Sequence, residues 1–220
     1  MAFVKELGNW KYEFRHMRDQ LSILATGGNR FYEISDNDYM SDVLRNLNKR
    51  GKWFDDLKKD PYNYFGQPDV LLHLAWRDGF VHYSDAHIID LPKHYTFIKM
   101  FAESKIKTIA VMGSMHEIGF FEGSIKEDSP CWPTTPYGIS KNALRNITEM
   151  FCKQKGKIFL WLRGYYVVGN SQYGSSIFSK ITAAEAEGKE EFPFTMGQNQ
   201  FDFIDYDDFC EQVARSVSQD

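Results

Sequence analysis

The sequence predicts an α/β protein built on a doubly wound parallel sheet, and three observations carry that expectation. First, three short apolar runs stand out: Val70-Leu71-Leu72-His73-Leu74-Ala75, Thr108-Ile109-Ala110-Val111-Met112 and Ile158-Phe159-Leu160-Trp161-Leu162. Each has the length and near-continuous hydrophobicity of a strand buried on both faces. Second, Leu91, Tyr95, Ile98 and Ala102 lie between the first two runs at helical three-and-four spacing. Third, Ile139, Ala143, Ile147 and Phe151 follow the second run at intervals of four, which predicts a second amphipathic helix with these residues on its buried face. Strand, helix, strand, helix, strand implies right-handed crossovers, with ligands beyond the carboxyl ends of the strands.

The flanking elements follow from weaker patterns. Gln20-Leu21-Ser22-Ile23-Leu24-Ala25-Thr26-Gly27-Gly28 reads as a strand entering a glycine turn, and 39–47 as a helix. Residues 177–188 read as a helix carrying Ala183, Ala184 and Ala186 and stopped by Gly188. Phe192-Pro193-Phe194 and Phe201-Asp202-Phe203-Ile204 read as short extended pieces. A last helix starts at Tyr206, with Asp207 and Asp208 in its first turn, where carboxylates meet the positive end of the dipole.

Composition narrows the function classes. The 220 residues suit one domain, or one with a small appendage. A formal charge of −4 leaves no broad basic field for a nucleic-acid backbone. Aromatic residues reach 16%, enough to fill a core and line a ligand cleft. Cys131, Cys152 and Cys210 are odd in number and widely spaced, which argues for a reducing cytoplasm and against a disulfide framework or a zinc ribbon. No apolar run reaches the roughly 20 residues of a membrane helix, and Glu6 interrupts any secretory signal, so no export is expected. His82, His87 and His94 do not repeat a metal-ligand pattern, and no metal site is expected.

The chemistry concentrates after the second strand. Ser114 follows it directly, and Thr134-Thr135-Pro136-Tyr137-Gly138-Ile139-Ser140-Lys141 comes next. In a helix starting near Pro136, Tyr137 and Lys141 lie one turn apart on the same face. A fixed cation nearby favours phenolate over phenol and is expected to lower the tyrosine pKa toward neutrality. A phenol that exchanges a proton, beside a hydroxyl that can hold a carbinol or carbonyl oxygen, is the equipment for reversible hydride transfer.

On these residues the chain resembles the extended short-chain dehydrogenase/reductases, specifically the epimerase/dehydratase group that works on nucleotide sugars. Pro68-Asp69-Val70-Leu71-Leu72-His73-Leu74-Ala75-Trp76 is similar to the family's fourth strand, which ends in His-Leu-Ala-Ala beside the cofactor. Ser114, five residues before Gly119, matches the catalytic serine or threonine, and Tyr137 with Lys141 matches Tyr-x-x-x-Lys. Leu162-Arg163-Gly164-Tyr165-Tyr166-Val167-Val168-Gly169 resembles the stretch that touches nicotinamide and sugar. Phe201-Asp202-Phe203-Ile204-Asp205-Tyr206-Asp207-Asp208 resembles the late Arg-Asp-Phe-Ile-His-Val-Asp-Asp element. The resemblance runs from about Phe54 to the end.

It implies a Rossmann-like core over 1–168 and a partial substrate-binding lobe over 169–220. It implies NAD or NADP as cofactor, met by Asp56 and Leu57 at the adenine, by Leu74, Ala75 and Trp76 at a strand end, and by Tyr137, Lys141 and Tyr165. Ser114, Tyr137 and Lys141 would be catalytic in an oxidoreductase or isomerase acting on a sugar hydroxyl. Arg77, His116, Glu117 and Tyr166 are the substrate-side candidates. His116 and Glu117 serve either as accessory acid and base or as a loop ion pair, and Arg77 either meets a substrate anion or pairs with Asp78. A homodimer is a further expectation, with Ile147, Met150, Phe151, Phe97 and Phe101 either supplying its apolar area or packing on the sheet. Cys131 reads as a loop thiol with no adjacent cation, hence no nucleophile.

One departure is conspicuous. The family's Gly-x-x-Gly-x-x-Gly, where missing side chains let backbone N–H groups approach the pyrophosphate, does not occur. Either Gly27-Gly28 is a degenerate form of it, or Met1-Ala2-Phe3-Val4-Lys5-Glu6-Leu7 corresponds to a first helix whose strand and loop precede Met1. The sequence therefore supports two readings: an NAD(P)-dependent sugar epimerase, dehydratase or reductase, or a non-catalytic Rossmann-like module that has lost its dinucleotide.

Overall fold

A computed structural model describes residues 23–27, 30–34, 60–168, 177–194, 196–197 and 200–218, the first two segments as backbone. The helix expected over 39–47, and Asp56 and Leu57, lie outside the described residues. Five strands form one sheet in the order β2-β1-β3-β4-β5. They are β1 (Ile23–Gly27), β2 (Arg30–Ile34), β3 (Val70–His73), β4 (Thr108–Ser114) and β5 (Ile158–Gly164). β1, β3, β4 and β5 run parallel, in a register that aligns Ile23 with Val70, Val70 with Thr108, and Thr108 with Ile158. Their carboxyl ends consequently finish along one edge of the sheet.

Helices make the crossovers. α1 (Pro61–Tyr64) is a single turn capped by the Asp60 side chain, which accepts from the Asn63 N–H. α2 (Ala86–Ala102) links β3 to β4. α3 (Pro136–Lys155) links β4 to β5 and starts at a Thr135 N-cap followed by proline at the first helical position, a strong combination for a helix start. The core lies between the sheet and these two helices, around Leu71, Phe97, Phe101, Ile109, Val111 and Leu144, all buried. Phe97 and Phe101 pack edge to face with centroids 5.0 Å apart, so both belong to the sheet-packing layer and neither supplies a dimer surface.

Two sequence expectations are corrected. β3 and β4 are buried almost throughout, but β5 is the sheet's edge strand and is half-buried, with Ile158 exposed. In α3 the buried face carries Ser140, Lys141, Leu144, Thr148 and Cys152, whereas Ile139 is 47% exposed. The four-residue spacing of Ile139, Ala143, Ile147 and Phe151 marked a flank, where Phe151 meets Tyr95 of α2 at 5.6 Å. Small and polar side chains took the sheet-facing stripe because α3 lies close to the sheet and carries the polar site residues inward.

Beyond β5 a two-stranded parallel sheet joins β6 (Tyr166–Val168) to β7 (Phe203–Asp205). The helix at 177–188 forms as α4 (Ile177–Ala186), and the last helix as α5 (Tyr206–Val217). Asp205 caps α5 by accepting from the Asp207 N–H at 2.9 Å, so the run of aspartates is a helix-start device. Phe192-Pro193-Phe194 adopts no regular structure. Among the described residues, no helix is long and apolar enough to cross a membrane.

Candidate active site

β4 ends at Ser114, whose extended backbone turns at once into a 3₁₀ turn, Met115–Glu117. A reciprocal capping box fixes this turn: the Ser114 hydroxyl accepts from the His116 N–H at 3.3 Å, and the Glu117 carboxylate accepts from the Ser114 N–H at 2.5 Å. Gly119 then takes φ +76°, and a Cβ there would lie 2.2 Å from the Trp132 carbonyl oxygen. The loop returning to α3 is thus clamped against the end of β4, with the Trp132 N–H donating to the Ile118 carbonyl at 3.0 Å. Gly138, in the first turn of α3, is equally constrained, since a Cβ there would sit 2.2 Å from the His116 carbonyl oxygen. That contact brings Tyr137 over the 3₁₀ turn.

The three residues expected to be catalytic converge. The Ser114 side chain lies beside the Tyr137 hydroxyl, close enough to favour its ionised form. Lys141 is 3% exposed; its ammonium donates to the Met112 carbonyl at 2.7 Å and lies 4.0 Å from the centroid of the Trp76 ring, a close cation–π contact. The same nitrogen is 6.0 Å from the Tyr137 ring centroid.

Charge behaves differently from the sequence expectation. Burial raises the Tyr137 pKa above its ordinary 10, with the Ser114 hydrogen bond offsetting part of the rise. The lysine was expected to drive it the other way. Instead desolvation lowers Lys141 itself to about 7, although the Glu117 charge opposes the fall. An amine that is only partly protonated near neutral pH is a weak fixed cation for its neighbour.

The substrate-side candidates separate. Glu117 is fully buried and is held by the Trp161 indole N–H at 2.8 Å and the Arg163 guanidinium at 3.6 Å, with burial raising its pKa. Its carboxylate braces the ends of β4 and β5. His116 stays half-buried with its ring 5.6 Å from that of Tyr137, and burial followed by the neighbouring His82 lowers its pKa. Arg77 pairs with Asp90 of α2 at 2.7 Å and not with Asp78, which instead accepts from Ser84. Burial raises the Tyr165 pKa, and the neighbouring Arg163 charge opposes the rise. Tyr166 lies in the small sheet against Phe201 and Phe203.

At the carboxyl end of β3, Ala75 is buried, Leu74 is half-buried and Trp76 sits between two partners. Its ring stacks on His94 at 4.5 Å, and its N–H donates to His87 Nδ1 at 3.0 Å. His73 and His94 share a buried 2.9 Å hydrogen bond. Desolvation holds His73 well below 6.5 and His94 at about 3, so both stay neutral. Sequence reasoning read His73 as structural, and its buried pairing agrees. It missed His82 and His87, whose rings lie 5.4 and 5.1 Å from Tyr137. The available signal was density: four of the chain's six histidines fall within 73–94. It also misread Cys131, whose Sγ lies 3.6 Å from Arg145 Nη2 and 3.9 Å from Arg163 Nη2.

The donor set suits the ribose and carbinol of a dinucleotide reaction. An ammonium has three N–H donors, and Lys141 spends one on Met112. Ser114 and Tyr137 offer hydroxyls at the same strand end, where ligands of parallel sheets collect. β1 runs parallel to β3. Its successor is not a helix, however. β2 returns antiparallel, pairing Gly27 with Arg30.

Comparison with known proteins agrees with this geometry. Residues 55–219 match the model of the NAD dependent epimerase/dehydratase family. Over 150 residues the chain is 43% identical to dTDP-6-deoxy-L-talose 4-dehydrogenase (NAD(+)) of Aggregatibacter actinomycetemcomitans, covering 68% of this chain and 56% of that protein. The chain thus spans a little over half the length of that curated relative. Among solved structures it resembles UDP-glucose 4-epimerase of Thermotoga maritima with UDP-glucose, with TM-score 0.67 and 17% identity, covering 96% of this chain and 68% of that one. It also resembles UDP-glucuronic acid 4-epimerase of Bacillus cereus in complex with UDP-glucuronic acid and NAD, with TM-score 0.64 and 17% identity over 82% and 60% of the two chains.

Proposed function

Since the chain belongs to the NAD dependent epimerase/dehydratase family, we propose that it is an NAD(P)-dependent enzyme acting at a carbinol carbon of a nucleotide-linked sugar. One observation carries the reading: the Tyr137 phenol, beside Ser114, stands one helical turn from a buried amine at the carboxyl end of a parallel strand. The name of the 43% identical relative, a dTDP-sugar 4-dehydrogenase using NAD(+), supports the substrate class and favours NAD.

In this reading Ser114 holds the carbinol oxygen and Tyr137 takes its proton. Lys141 donates to ribose hydroxyls with the two N–H groups that Met112 leaves over. The bound nicotinamide supplies the hydride acceptor. Leu74, Ala75 and Trp76 line the cofactor's side at the end of β3, with Tyr165 beyond β5, and Asp56 and Leu57 remain the candidates for adenine. The fraction of Lys141 that stays protonated near pH 7 lowers the cost of forming phenolate, against the rise that burial gives Tyr137. Glu117 acts by holding Ser114 in place. His116, Arg77 and Tyr166 remain substrate-side candidates. We assign 1–168 to the cofactor core and 169–220 to the substrate lobe, and the free thiols of Cys131, Cys152 and Cys210 fit a cytoplasmic setting. A homodimer would use the exposed Ile139 and Met150 of α3.

The rival reading, a non-catalytic module, is favoured by the return of β1 as antiparallel β2, since a helix start there would otherwise cradle the pyrophosphate. Calorimetric titration with NAD and NADP decides between them. Saturable binding, followed by nicotinamide-dependent conversion of a dTDP- or UDP-sugar, is the expected result. No binding at millimolar cofactor would leave only the module.

A further inference from the structure

The loop between β4 and α3 carries a cluster that the mechanism does not use. Cys131 is half-buried on this loop, whereas Cys152 and Cys210 are buried. Two guanidiniums converge on its sulfur: Nη2 of Arg145, from α3, at 3.6 Å, and Nη2 of Arg163, from the end of β5, at 3.9 Å. Arg145 meets no carboxylate among the described residues; its other contact is the Asn142 side-chain oxygen at 3.2 Å. Arg163 is 12% exposed. In both arginines the Nε–H is buried and finds no acceptor. Buried donors are nearly always paired, and leaving one unpaired is costly. Two unused cationic donors beside a thiol therefore describe a place for an anionic acceptor that can also reach the sulfur. Partial exposure and flanking cations are the surroundings in which cysteines react.

The same cluster touches the catalytic end of β4. Arg163 Nη2 lies 3.6 Å from Glu117 Oε2, and Glu117 Oε1 accepts from the Ser114 N–H at 2.5 Å. One guanidinium nitrogen thus serves both the thiol and the carboxylate that holds Ser114.

We propose that Cys131 is a modification site for carboxylate-bearing disulfides of the glutathione type, docked by Arg145 and Arg163, and that the mixed disulfide loosens Ser114. In the exchange the Cys131 sulfur attacks one sulfur of the disulfide. A new Sγ–S bond forms, the old S–S bond breaks, and the departing glutathione thiolate takes up a proton equivalent to the one the Cys131 thiol gave up. The disulfide is the oxidant, and one glutathione leaves reduced. Carboxylates of the attached tripeptide then compete with Glu117 for Arg163, and Glu117 braces Ser114 less firmly. The consequence for turnover rests on the functional reading above; the exchange itself does not.

The test follows mixed-disulfide formation on the full chain by intact mass and peptide mapping, with anionic glutathione disulfide and cationic cystamine. Each rate at Cys131 is divided by the rate of the same disulfide at Cys131 in urea-unfolded protein. Glutathione disulfide should be favoured over cystamine by about tenfold at low ionic strength, and Arg145→Gln should remove most of that preference. Cys152 and Cys210 should stay unmodified in the folded protein. Once Cys131 is modified, amide exchange at Ser114 should quicken and turnover should fall, with dithiothreitol restoring both. Cys131→Ser should keep wild-type turnover and ignore the disulfide. Equal normalised rates, a preference for cystamine, labelling of Cys152 or Cys210 ahead of Cys131, or an unchanged Ser114 amide in fully modified protein would each overturn the proposal. Wild type without nicotinamide-dependent turnover overturns the functional reading instead, and the exchange preference and the Ser114 amide then decide the thiol site.

Discussion

At the scale of single residues the site turns on where charge can reside. Tyr137 cannot ionise easily by itself, because burial raises its pKa. Tyr137→Phe should therefore cost roughly a thousandfold in turnover while cofactor affinity, measured by calorimetry, stays within a few-fold. Undiminished turnover would remove the phenol from the mechanism. Trp76 is the less obvious residue. Its ring faces the Lys141 ammonium at 4.0 Å. Trp76→Leu keeps the site dry but removes the π face, which favours the charged amine by about 0.5–2 kcal/mol. The Lys141 pKa, lowered already to about 7, should fall further by up to about 1.5 units. Nitrogen NMR of the lysine side chain reads this directly, and an unchanged or higher value would rule out the cation–π contribution.

At the scale of elements, the close approach of α3 to the 3₁₀ turn sets the distance between Tyr137 and His116. A Cβ on Gly138 would meet a backbone oxygen at 2.2 Å, and backbone cannot swing aside as a flexible side chain does. Gly138→Ala should cost about 1–3 kcal/mol of stability, read as a lower denaturant midpoint, and should slow turnover beyond what the lost stability explains. A neutral result would mean that α3 has slack at its start. The sequence could not disclose this contact, since a glycine inside a helix has several possible reasons. It did disclose β3, β4 and the crossover helices, because strands buried on both faces must be continuously apolar. It failed on the buried face of α3, where Lys141, Thr148 and Ser140 point inward and the apolar residues flank. A pattern of hydrophobicity cannot find a face that chemistry has made polar. The pairing of Tyr137 with Ser114 was legible from spacing and resemblance, but the histidines around them were not, because α2 and the loop before it deliver those through space.

For the whole molecule, the buried bases couple folding to pH. The Lys141 value near 7 lies below the 10.5 of an unfolded chain, so between those limits the unfolded state holds the extra proton and stability rises with pH. Lys141→Met should flatten that alkaline rise. On the acid side, His94 titrates at about 3 when folded and His73 lies well below 6.5. Each contributes stability that is present above 6.5 and is lost as pH falls toward the folded value. At pH 5 an unfolded chain therefore binds more protons at these sites than the fold does, and stability falls as the pH is lowered. Glu117 opposes this, because a raised folded pKa makes the native state take its proton first. The net expectation is a folding free energy that drops between pH 6.5 and 5, with Glu117 making the drop shallower, measured by chemical denaturation across that range. His94→Phe keeps a ring stacked on Trp76 and removes one of the two titrations, so its slope should be shallower than wild type by up to one proton even though its stability at pH 7 is lower. Stability that stays flat from pH 6.5 to 5 in wild type would mean that His73 and His94 are not sealed from water, and the buried surroundings of Trp76 that lower the Lys141 pKa would then be open.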